Sequence, residues 1–362
     1  MLVDVISPKF KTTCVTQSRR SEIDMNNIPF GKIFSDHMYI VKYENGKWGQ
    51  PEIKPYGTME MTPSISALHY GQAIFEGMKA YRGQNDEVLL FRPKDNLRRF
   101  NHSANRLCMP EVTEELFIDG VKELVKLDKQ WIPSPEQGTL YIRPCMFAID
   151  EAVGVKASDS YLFVIFTCPV GPYYKEPVNL LATKEYTRAA IGGMGNAKAA
   201  GNYAAALLPD KIAKSQGYHN VLWLDARLHQ YIEECGTMNI FFVIGNSVVT
   251  PQLTGTILAG VTRDSVIRLL MDNAETLGVT VEKRRISIYE LDEAYNQREF
   301  HEAFGAGTAA VISHINKIGF AGRDMVLPPV SERKIGPWLY KTLYEIQTGI
   351  LPDPYGWVVK VD

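Results

Sequence analysis

The chain has 362 residues, of which 45% are hydrophobic and 22% are charged, a length and composition typical of a globular protein with two domains. Its 39 basic and 41 acidic residues give a formal net charge of -2, which argues against binding nucleic acid or an anionic membrane through bulk charge. The apolar runs are too short to span a bilayer, and five scattered cysteines without a Cys-x-x-Cys pair predict reduced thiols in a cytoplasm.

The N-terminal half mixes strand and helix patterns. Asn45-Gly46 separates two β-prone runs and predicts a hairpin, while residues 93–107 and 113–130 are predicted helices. Apolar, aromatic runs that predict strands are residues 139–147 and 161–168. We therefore expect residues 1–168 to form a small N-terminal domain.

A segment rich in proline and glycine, residues 169–177, predicts an interdomain linker. Beyond it, residues 178–362 are expected to form a larger C-terminal domain. Its predicted helices include residues 202–217, with a bend at Pro209, and residues 262–277. Hairpins mixed with helices predict two α+β domains rather than a doubly wound parallel sheet.

One stretch rich in glycine and alanine, residues 192–203, surrounds a single lysine, Lys198. Because glycine and alanine let other groups approach closely, we expect the amine to be desolvated and its neutral, nucleophilic form to be favoured. Such amines form Schiff bases with carbonyls, and pyridoxal phosphate is the usual carbonyl in amino-acid chemistry. The alternative is a plain glycine-rich loop before a helix, with Lys198 in solvent.

A pyridoxal phosphate site also needs a carboxylate for the pyridine nitrogen. Glu233 and Glu234 are adjacent in a predicted strand, so they point to opposite faces, and one can be buried while the other stays in solvent. A buried carboxylate beside the nitrogen would keep it protonated. An ordinary strand end with two solvated acids is the alternative.

Two glycine-containing stretches are candidate anion sites. Residues 258–264 lead into a helix beginning near Thr262, where free N–H groups and the helix dipole favour a phosphate bound by Val261 and Thr262. The alternative is that Thr262 is only an N-cap. The amides of Thr308 and Ala309 could bind a carboxylate or phosphate oxygen, or could simply form a tight turn.

Two arginines are candidate ligands for anionic groups. Arg99 lies in a predicted helix, whereas Arg143 lies in an apolar strand, where a charge is costly without a partner. Arg143 is therefore the more specific candidate. The sequence shows no cluster with the spacing of metal ligands.

Taken together, these motifs resemble those of the branched-chain amino acid aminotransferases, pyridoxal-phosphate enzymes of fold type IV. The resemblance runs from about residue 30 to the C-terminus. The motifs behind it are His69-Tyr-Gly-Gln-Ala-Ile-Phe-Glu-Gly, Tyr141-Ile-Arg-Pro, Gly195-Asn-Ala-Lys-Ala-Ala-Gly-Asn-Tyr, Glu234-Cys-Gly-Thr-Met-Asn-Ile-Phe, Gly260-Val-Thr-Arg and Gly305-Ala-Gly-Thr-Ala-Ala. It implies a two-domain α+β fold with a small N-terminal α/β domain and a larger, β-barrel-like C-terminal domain.

The resemblance also implies a role for individual residues. Lys198 would form the Schiff base with the cofactor and then move a proton between Cα and C4′, while Tyr203 and Glu234 would bind the phenolic oxygen and the pyridine nitrogen. The residues implied to hold the phosphate are Arg99, Val261, Thr262 and Thr308. The turn at Thr308 and Ala309 would receive the substrate carboxylate. The residues implied to line the pocket for a branched side chain are Phe30, Phe75, Tyr141, Tyr203 and Thr237.

Such a site must accept leucine, isoleucine or valine and also glutamate. Arg143, held by Tyr141 at the edge of the apolar walls, is expected to bind the distal carboxylate of glutamate. The resemblance further implies a homodimer at least, in which Tyr70 and Val155 reach into the partner subunit's site.

The resulting hypothesis is a cytoplasmic aminotransferase that interconverts L-leucine, L-isoleucine, L-valine and 2-oxoglutarate with the 2-oxo acids and L-glutamate by a ping-pong mechanism. One alternative is a D-amino-acid aminotransferase or an aminodeoxychorismate lyase on the same scaffold. Another is a non-catalytic protein that uses the glycine-rich loops to bind a phosphate.

Overall fold

The structure is a computed structural model that describes residues 10–174 and 176–361. Residues 1–9, 175 and 362, which belong to the predicted domains and linker, lie outside the described residues. The chain forms two compact units, Met1–Pro172 together with Ile346–Asp362, and Tyr173–Glu345. It passes from the first to the second inside the segment predicted as a linker.

The described residues form strands β1 (Lys11–Thr12), β2 (His37–Glu44), β3 (Lys47–Trp48), β4 (Glu52–Pro55), β5 (Ala73–Phe75), β6 (Met78–Arg82), β7 (Val88–Phe91), β8 (Thr139–Ala148), β9 (Tyr161–Val170), β10 (Val178–Ala182), β11 (Asn220–Leu224), β12 (Ile232–Cys235), β13 (Asn239–Ile244), β14 (Ser247–Thr250), β15 (Thr280–Lys283), β16 (Phe300–Gly307), β17 (Val311–Phe320), β18 (Arg323–Val326) and β19 (Val358–Val361).

The helices are α1 (Ser66–Tyr70), α2 (Pro93–Arg106), α3 (Gly120–Leu127), α4 (Ala200–Ala205), α5 (Leu207–Ser215), α6 (Val261–Asp272), α7 (Ala274–Leu277), α8 (Ile288–Asn296) and α9 (Ile335–Gln347). A π-helical turn, Glu115–Asp119, precedes α3. None of the helices in the described part of the chain has the length and apolarity needed to cross a bilayer.

Each unit is built on one mixed sheet. In the first, the strand order is β1-β4-β2-β9-β8-β6-β7-β19, with β3 beside β2 and β5 beside β8. In the second, it is β12-β11-β10-β17-β16-β13-β14-β15, with β18 beside β17. Sheets that combine hairpins with parallel neighbours, packed with helices, confirm the predicted α+β class.

The assignment of the last residues to the C-terminal domain was wrong. Strand β19 pairs with β7 of the first unit, from Val358 opposite Phe91 to Val361 opposite Val88. Pairing with the edge strand β7 satisfies the backbone N–H and C=O groups of β19, which explains why the C-terminal residues join the sheet of the first unit. The two units are consequently similar in length, whereas the sequence predicted a small first domain.

Two predicted helices of the second unit are each divided. The break in residues 202–217 falls at Ala206, and Pro209 lies in the first turn of α5, where a proline removes no intrahelical bond. Residues 262–277 form α6 and α7, separated at Asn273, whose side-chain amide donates to the carbonyl of Leu269 at 2.8 Å. Local side-chain bonds of this kind compete with helix propagation.

The long hairpin of β8 and β9 positions the predicted residues of the first unit. Its antiparallel pairs run from Thr139 opposite Val170 to Ala148 opposite Tyr161. Because alternate residues of a strand share a face, Tyr141 and Arg143 lie on the same side of the sheet.

Candidate active site

Lys198 lies just before α4 and contacts a residue of that helix. Its Nζ donates to the Tyr203 hydroxyl oxygen at 2.7 Å. The lysine side chain is half-buried, and the neighbouring Ala197 and Ala199 are buried. The alternative of a solvated lysine in a plain loop is therefore wrong.

Glycine is required in this loop for a steric reason. A Cβ atom on Gly195 would lie 2.2 Å from the carbonyl oxygen of Thr256, so only glycine permits this approach. The amide of Asn202 donates to the carbonyls of Met194 and Ala197, at 2.9 and 3.0 Å. These contacts fix the backbone on both sides of the lysine.

Glu234, in β12, is buried with 4% of its surface exposed. Its Oε1 accepts the N–H of Leu258 at 2.7 Å and faces the Asn239 amide at 3.5 Å, while its Oε2 lies 3.1 Å from Nε of Arg188. Burial raises the pKa of the Glu234 carboxyl, although Arg188 and the Leu258 N–H act in the opposite direction. Lys198 is close enough to add to that lowering influence.

The expectation that one of the two adjacent glutamates stays in solvent was wrong. Glu233 is buried as well, with 6% exposed, and its Oε1 lies 2.5 Å from the hydroxyl of Thr256. Alternation of β12 sends the two carboxyls to opposite faces, but the chain around Thr256 covers the second face. Burial on both faces cannot be read from a two-residue acidic pattern.

Sequence reasoning missed Arg188, which connects three parts of the second unit. Besides its ion pair with Glu234, its Nη2 donates to the carbonyls of Gly195 and Thr256. The residue stands ten positions before Lys198 and far along the chain from Glu234, with no motif of its own. Its buried charge is the feature that would have marked it, and burial appears only in the folded chain.

A cavity in the second unit brings several predicted residues together. Its lining includes Tyr203, Glu234 and Thr237, with Arg188 and Leu258 beside them. The phenol on this cavity, the lysine amine bonded to it and the buried carboxylate form the set of groups that fits pyridoxal phosphate.

The predicted phosphate region at α6 has the backbone of an anion site. The N-cap is Gly260, with extended backbone angles and no side-chain cap, so the alternative that Thr262 is an N-cap was wrong. Val261 and Thr262 are buried at the first turn, where N–H groups point out of the helix. Thr308 and Ala309 lie half-buried in the turn between β16 and β17. Phosphate and carboxylate binding by these residues stay predictions.

In the first unit, Arg143 lies among aromatic rings. Its guanidinium carbon is 4.6 Å from the ring centre of Phe75 and 5.4 Å from that of Tyr141, and its Nη2 donates to the Tyr141 hydroxyl at 3.2 Å. Phe30 packs edge-on against Tyr141 at 5.5 Å. A Cβ on Gly77 would lie 2.1 Å from the Tyr141 hydroxyl oxygen, so this glycine makes room for the phenol.

Arg99 forms a two-pronged ion pair with Glu76, a residue that the sequence prediction did not single out. Nε and Nη2 of Arg99 donate to the two carboxylate oxygens at 2.7 and 2.8 Å, and Glu76 is fully buried. The pair fixes the orientation of the guanidinium. A phosphate bond from Arg99 stays a prediction.

Tyr70 and Val155, predicted to reach a partner subunit, lie on the surface of the first unit. Val155 is 84% exposed, and Tyr70, 40% exposed, donates its hydroxyl proton to the carbonyl of Val153.

Residues 73–318 match the model of the class IV aminotransferase family. The chain belongs to the class IV aminotransferases. A curated relative, branched-chain-amino-acid aminotransferase 2 of Bacillus subtilis (strain 168), is 44% identical over 351 residues, which cover 96% of each chain.

Two solved structures of branched-chain aminotransferases are similar to this class IV aminotransferase. That of Thermoproteus uzoniensis with norvaline has a TM-score of 0.74 and 27% identity, covering 90% of this chain and all of the other. That of T.th. complexed with N-(5'-phosphopyridoxyl)-L-glutamate has a TM-score of 0.71 and 27% identity, covering 89% and 98%. The predictions of fold type IV, of a pyridoxal-phosphate-dependent transaminase and of its family are thereby confirmed.

Proposed function

We propose that this aminotransferase transfers the amino group between L-leucine, L-isoleucine or L-valine and 2-oxoglutarate, forming the branched 2-oxo acids and L-glutamate in two half-reactions at one site. The main supporting observation is the Lys198 amine held 2.7 Å from the Tyr203 phenol, next to the buried Glu234. Bound pyridoxal phosphate supplies an electron sink that stabilises negative charge at the substrate Cα.

Lys198 is the base and acid of both half-reactions. Its amine would take the proton from Cα of the substrate and deliver it to C4′ of the cofactor, and would move a proton in the reverse direction in the second half-reaction, since one flexible side chain can reach both atoms. Tyr203 directs the amine through its hydroxyl oxygen. Glu234 would carry its negative charge beside the ring nitrogen, where Arg188 and the Leu258 N–H favour the ionised form against the burial that raises the pKa of this carboxyl.

The anionic ends of cofactor and substrate require further donors. The first turn of α6, at Val261 and Thr262, together with Thr308 and Arg99, would bind the phosphate. The turn at Thr308 and Ala309 would receive the substrate carboxylate.

Arg143 would distinguish glutamate from the branched substrates. Phe30, Phe75 and Tyr141 offer apolar surface to an aliphatic side chain, and the guanidinium beside them offers a cation to a distal carboxylate. The two solved structures named above contain an aliphatic amino acid in one case and a glutamate adduct in the other. Those ligands belong to those proteins, and they support the same pair of substrate classes here.

A homodimer, with Tyr70 and Val155 at the partner's site, also belongs to this proposal. Large exposed apolar side chains near each other on the first unit, Leu68, Tyr70, Val153 and Val155, support an interface there. Sedimentation equilibrium should give twice the chain mass, and Val155→Asp should shift the protein towards monomer. A cytoplasmic location stays a prediction.

The deciding experiment is a visible absorption spectrum of the purified holoenzyme, recorded before and after L-leucine and then 2-oxoglutarate are added. The pyridoxal band should give way to that of the pyridoxamine form with L-leucine and return with 2-oxoglutarate. Conversion by D-alanine but not by L-leucine would instead identify a D-amino-acid aminotransferase. Release of pyruvate from aminodeoxychorismate, without transamination, would identify the lyase.

A further inference from the structure

Glu233 is a second buried carboxyl in the second unit, and the proposed chemistry does not use it. Its Oε1 meets the Thr256 hydroxyl at 2.5 Å, and its Oε2 has no hydrogen-bond partner among residues 10–174 and 176–361. An ionised carboxylate with a bare oxygen in the interior is costly, whereas a neutral carboxylic acid tolerates that position better.

One guanidinium serves both glutamates. Arg188 ion-pairs with Glu234 at 3.1 Å and donates to the carbonyl of Thr256, the residue whose hydroxyl meets Glu233. Its single positive charge is shared between the two glutamates, and the Arg285 guanidinium also acts on Glu233. Glu234 also accepts a hydrogen bond from the N–H of Leu258 at 2.7 Å, a donor suited to an ionised carboxylate. The hydrogen-bond partner of Glu233 is the hydroxyl of Thr256.

We propose that Glu233 is a positioning residue that keeps its proton, so that the negative charge of the glutamate pair is fixed on Glu234. This inference rests on the role of Glu234 in the proposed function. The protonated carboxyl donates from Oε1 to the Thr256 hydroxyl. That hydroxyl in turn donates to Thr254, whose Oγ1 lies 2.8 Å away.

The surrounding charges are consistent with this assignment. The charged groups that act on Glu233 are Arg188, Asp225, Glu234 and Arg285. Burial is the largest influence and raises the pKa of Glu233, and Asp225 raises it further, against the lowering effect of the Thr256 hydroxyl and the two arginines. Burial raises the pKa of Glu234 as well, so the contacts distinguish the two carboxyls: Glu234 has the ion pair with Arg188 and a backbone N–H, whereas Glu233 has a hydroxyl and a bare oxygen. Asp225 stays negative because four backbone N–H groups of its own turn bind it.

The protonated state has a measurable consequence for stability. A carboxyl whose pKa is raised by folding contributes stability that is complete below its unfolded pKa and is lost as the pH rises through its folded pKa. Glu233→Gln keeps the neutral shape and removes the titration. The stability of the variant relative to that of the wild type should therefore increase as the pH rises.

The test is the melting temperature of the apo-protein from pH 4.5 to 8.5. Relative to the wild type, Glu233→Gln should become more stable with rising pH, by about 2–4 °C over that range. The matched control is Glu275→Gln, at an exposed glutamate of α7. The melting temperature of this control should change with pH in parallel with that of the wild type. Parallel curves for Glu233→Gln and the wild type would overturn the inference.

A second measurement separates this inference from the proposed function. The ¹⁵N chemical shift of labelled pyridoxal phosphate in the holoenzyme reports whether its ring nitrogen is protonated. Glu233→Gln should keep the protonated signal, and Glu234→Gln should lose it. A protonated signal in Glu234→Gln would remove the role of Glu234 in the proposed function, whereas loss of that signal in Glu233→Gln would contradict the role given to Glu233.

Discussion

Arg143 of the first unit and Arg188 of the second are both half-buried, but they are held in different ways. Arg188 has a carboxylate partner, Glu234, and two backbone carbonyls. Arg143 has aromatic faces and one phenol. The Nε atoms of both arginines lack a hydrogen bond within the described residues, but that of Arg188 lies 3.1 Å from a carboxylate oxygen of Glu234. The charge of Arg188 is already compensated by a carboxylate of the protein, whereas the charge of Arg143, which contacts rings and a phenol, is available for an anionic ligand.

In the proposed function, the common chemistry belongs to residues of the second unit and substrate discrimination to residues of the first. Substitutions in the second unit should therefore affect all substrates alike or lower stability. Substitutions around Arg143 should affect the substrate with a second carboxylate most.

Lys198→Ala should have the largest effect. Turnover should fall at least ~10³-fold with L-leucine and with L-glutamate alike, because both half-reactions need the same amine. Steady-state assays of both half-reactions measure it, with exposed Lys211→Ala as the control. Substantial turnover in Lys198→Ala would refute the assignment of the catalytic lysine.

Arg188→Ala should lower the free energy of unfolding of the apo-protein by about 3–5 kcal/mol, because it leaves Glu234 buried without its ion-pair partner. Denaturant titration measures the change. Adding Glu234→Gln to this variant should restore much of the loss, since no buried charge then remains unpaired. If the double variant is no more stable than Arg188→Ala, the ion pair is not the cause.

Arg143→Ala should raise the KM for 2-oxoglutarate about 10–100-fold, the loss expected for a hydrogen bond to a charged group. The KM for L-leucine should change much less, and the stability should not fall as it does in Arg188→Ala. Exposed Arg98→Ala is the matched control. Equal losses for both substrates would contradict the role of Arg143 in discrimination.

Tyr141→Phe should have the smallest effect. It removes the hydroxyl that accepts from Arg143 at 3.2 Å and leaves the ring face in place. The KM for 2-oxoglutarate should rise only about 3–10-fold, because the phenol acts on this substrate through the orientation of Arg143 and the guanidinium itself remains. A rise as large as that in Arg143→Ala would mean that the phenol, rather than the rings, positions the guanidinium.

Local patterns predicted the elements that depend on neighbouring residues. The hairpin at Asn45-Gly46 forms with positive φ at both residues, and the helix beginning at Pro93 ends within one residue of its predicted end. The divided helices were not foreseen, because a side-chain bond such as that from Asn273 competes with the helix only in its actual geometry.

By itself, the sequence determined the family and the cofactor and predicted the lysine–tyrosine–glutamate set, because these chemical groups stand in short motifs with fixed local spacing. Only the tertiary structure decided that the tail joins the first unit, that Glu233 is buried, and that Arg188 and Glu76 hold the charged groups. Each of these depends on contacts between segments far apart in the chain, where burial and pairing set the energy of a charge.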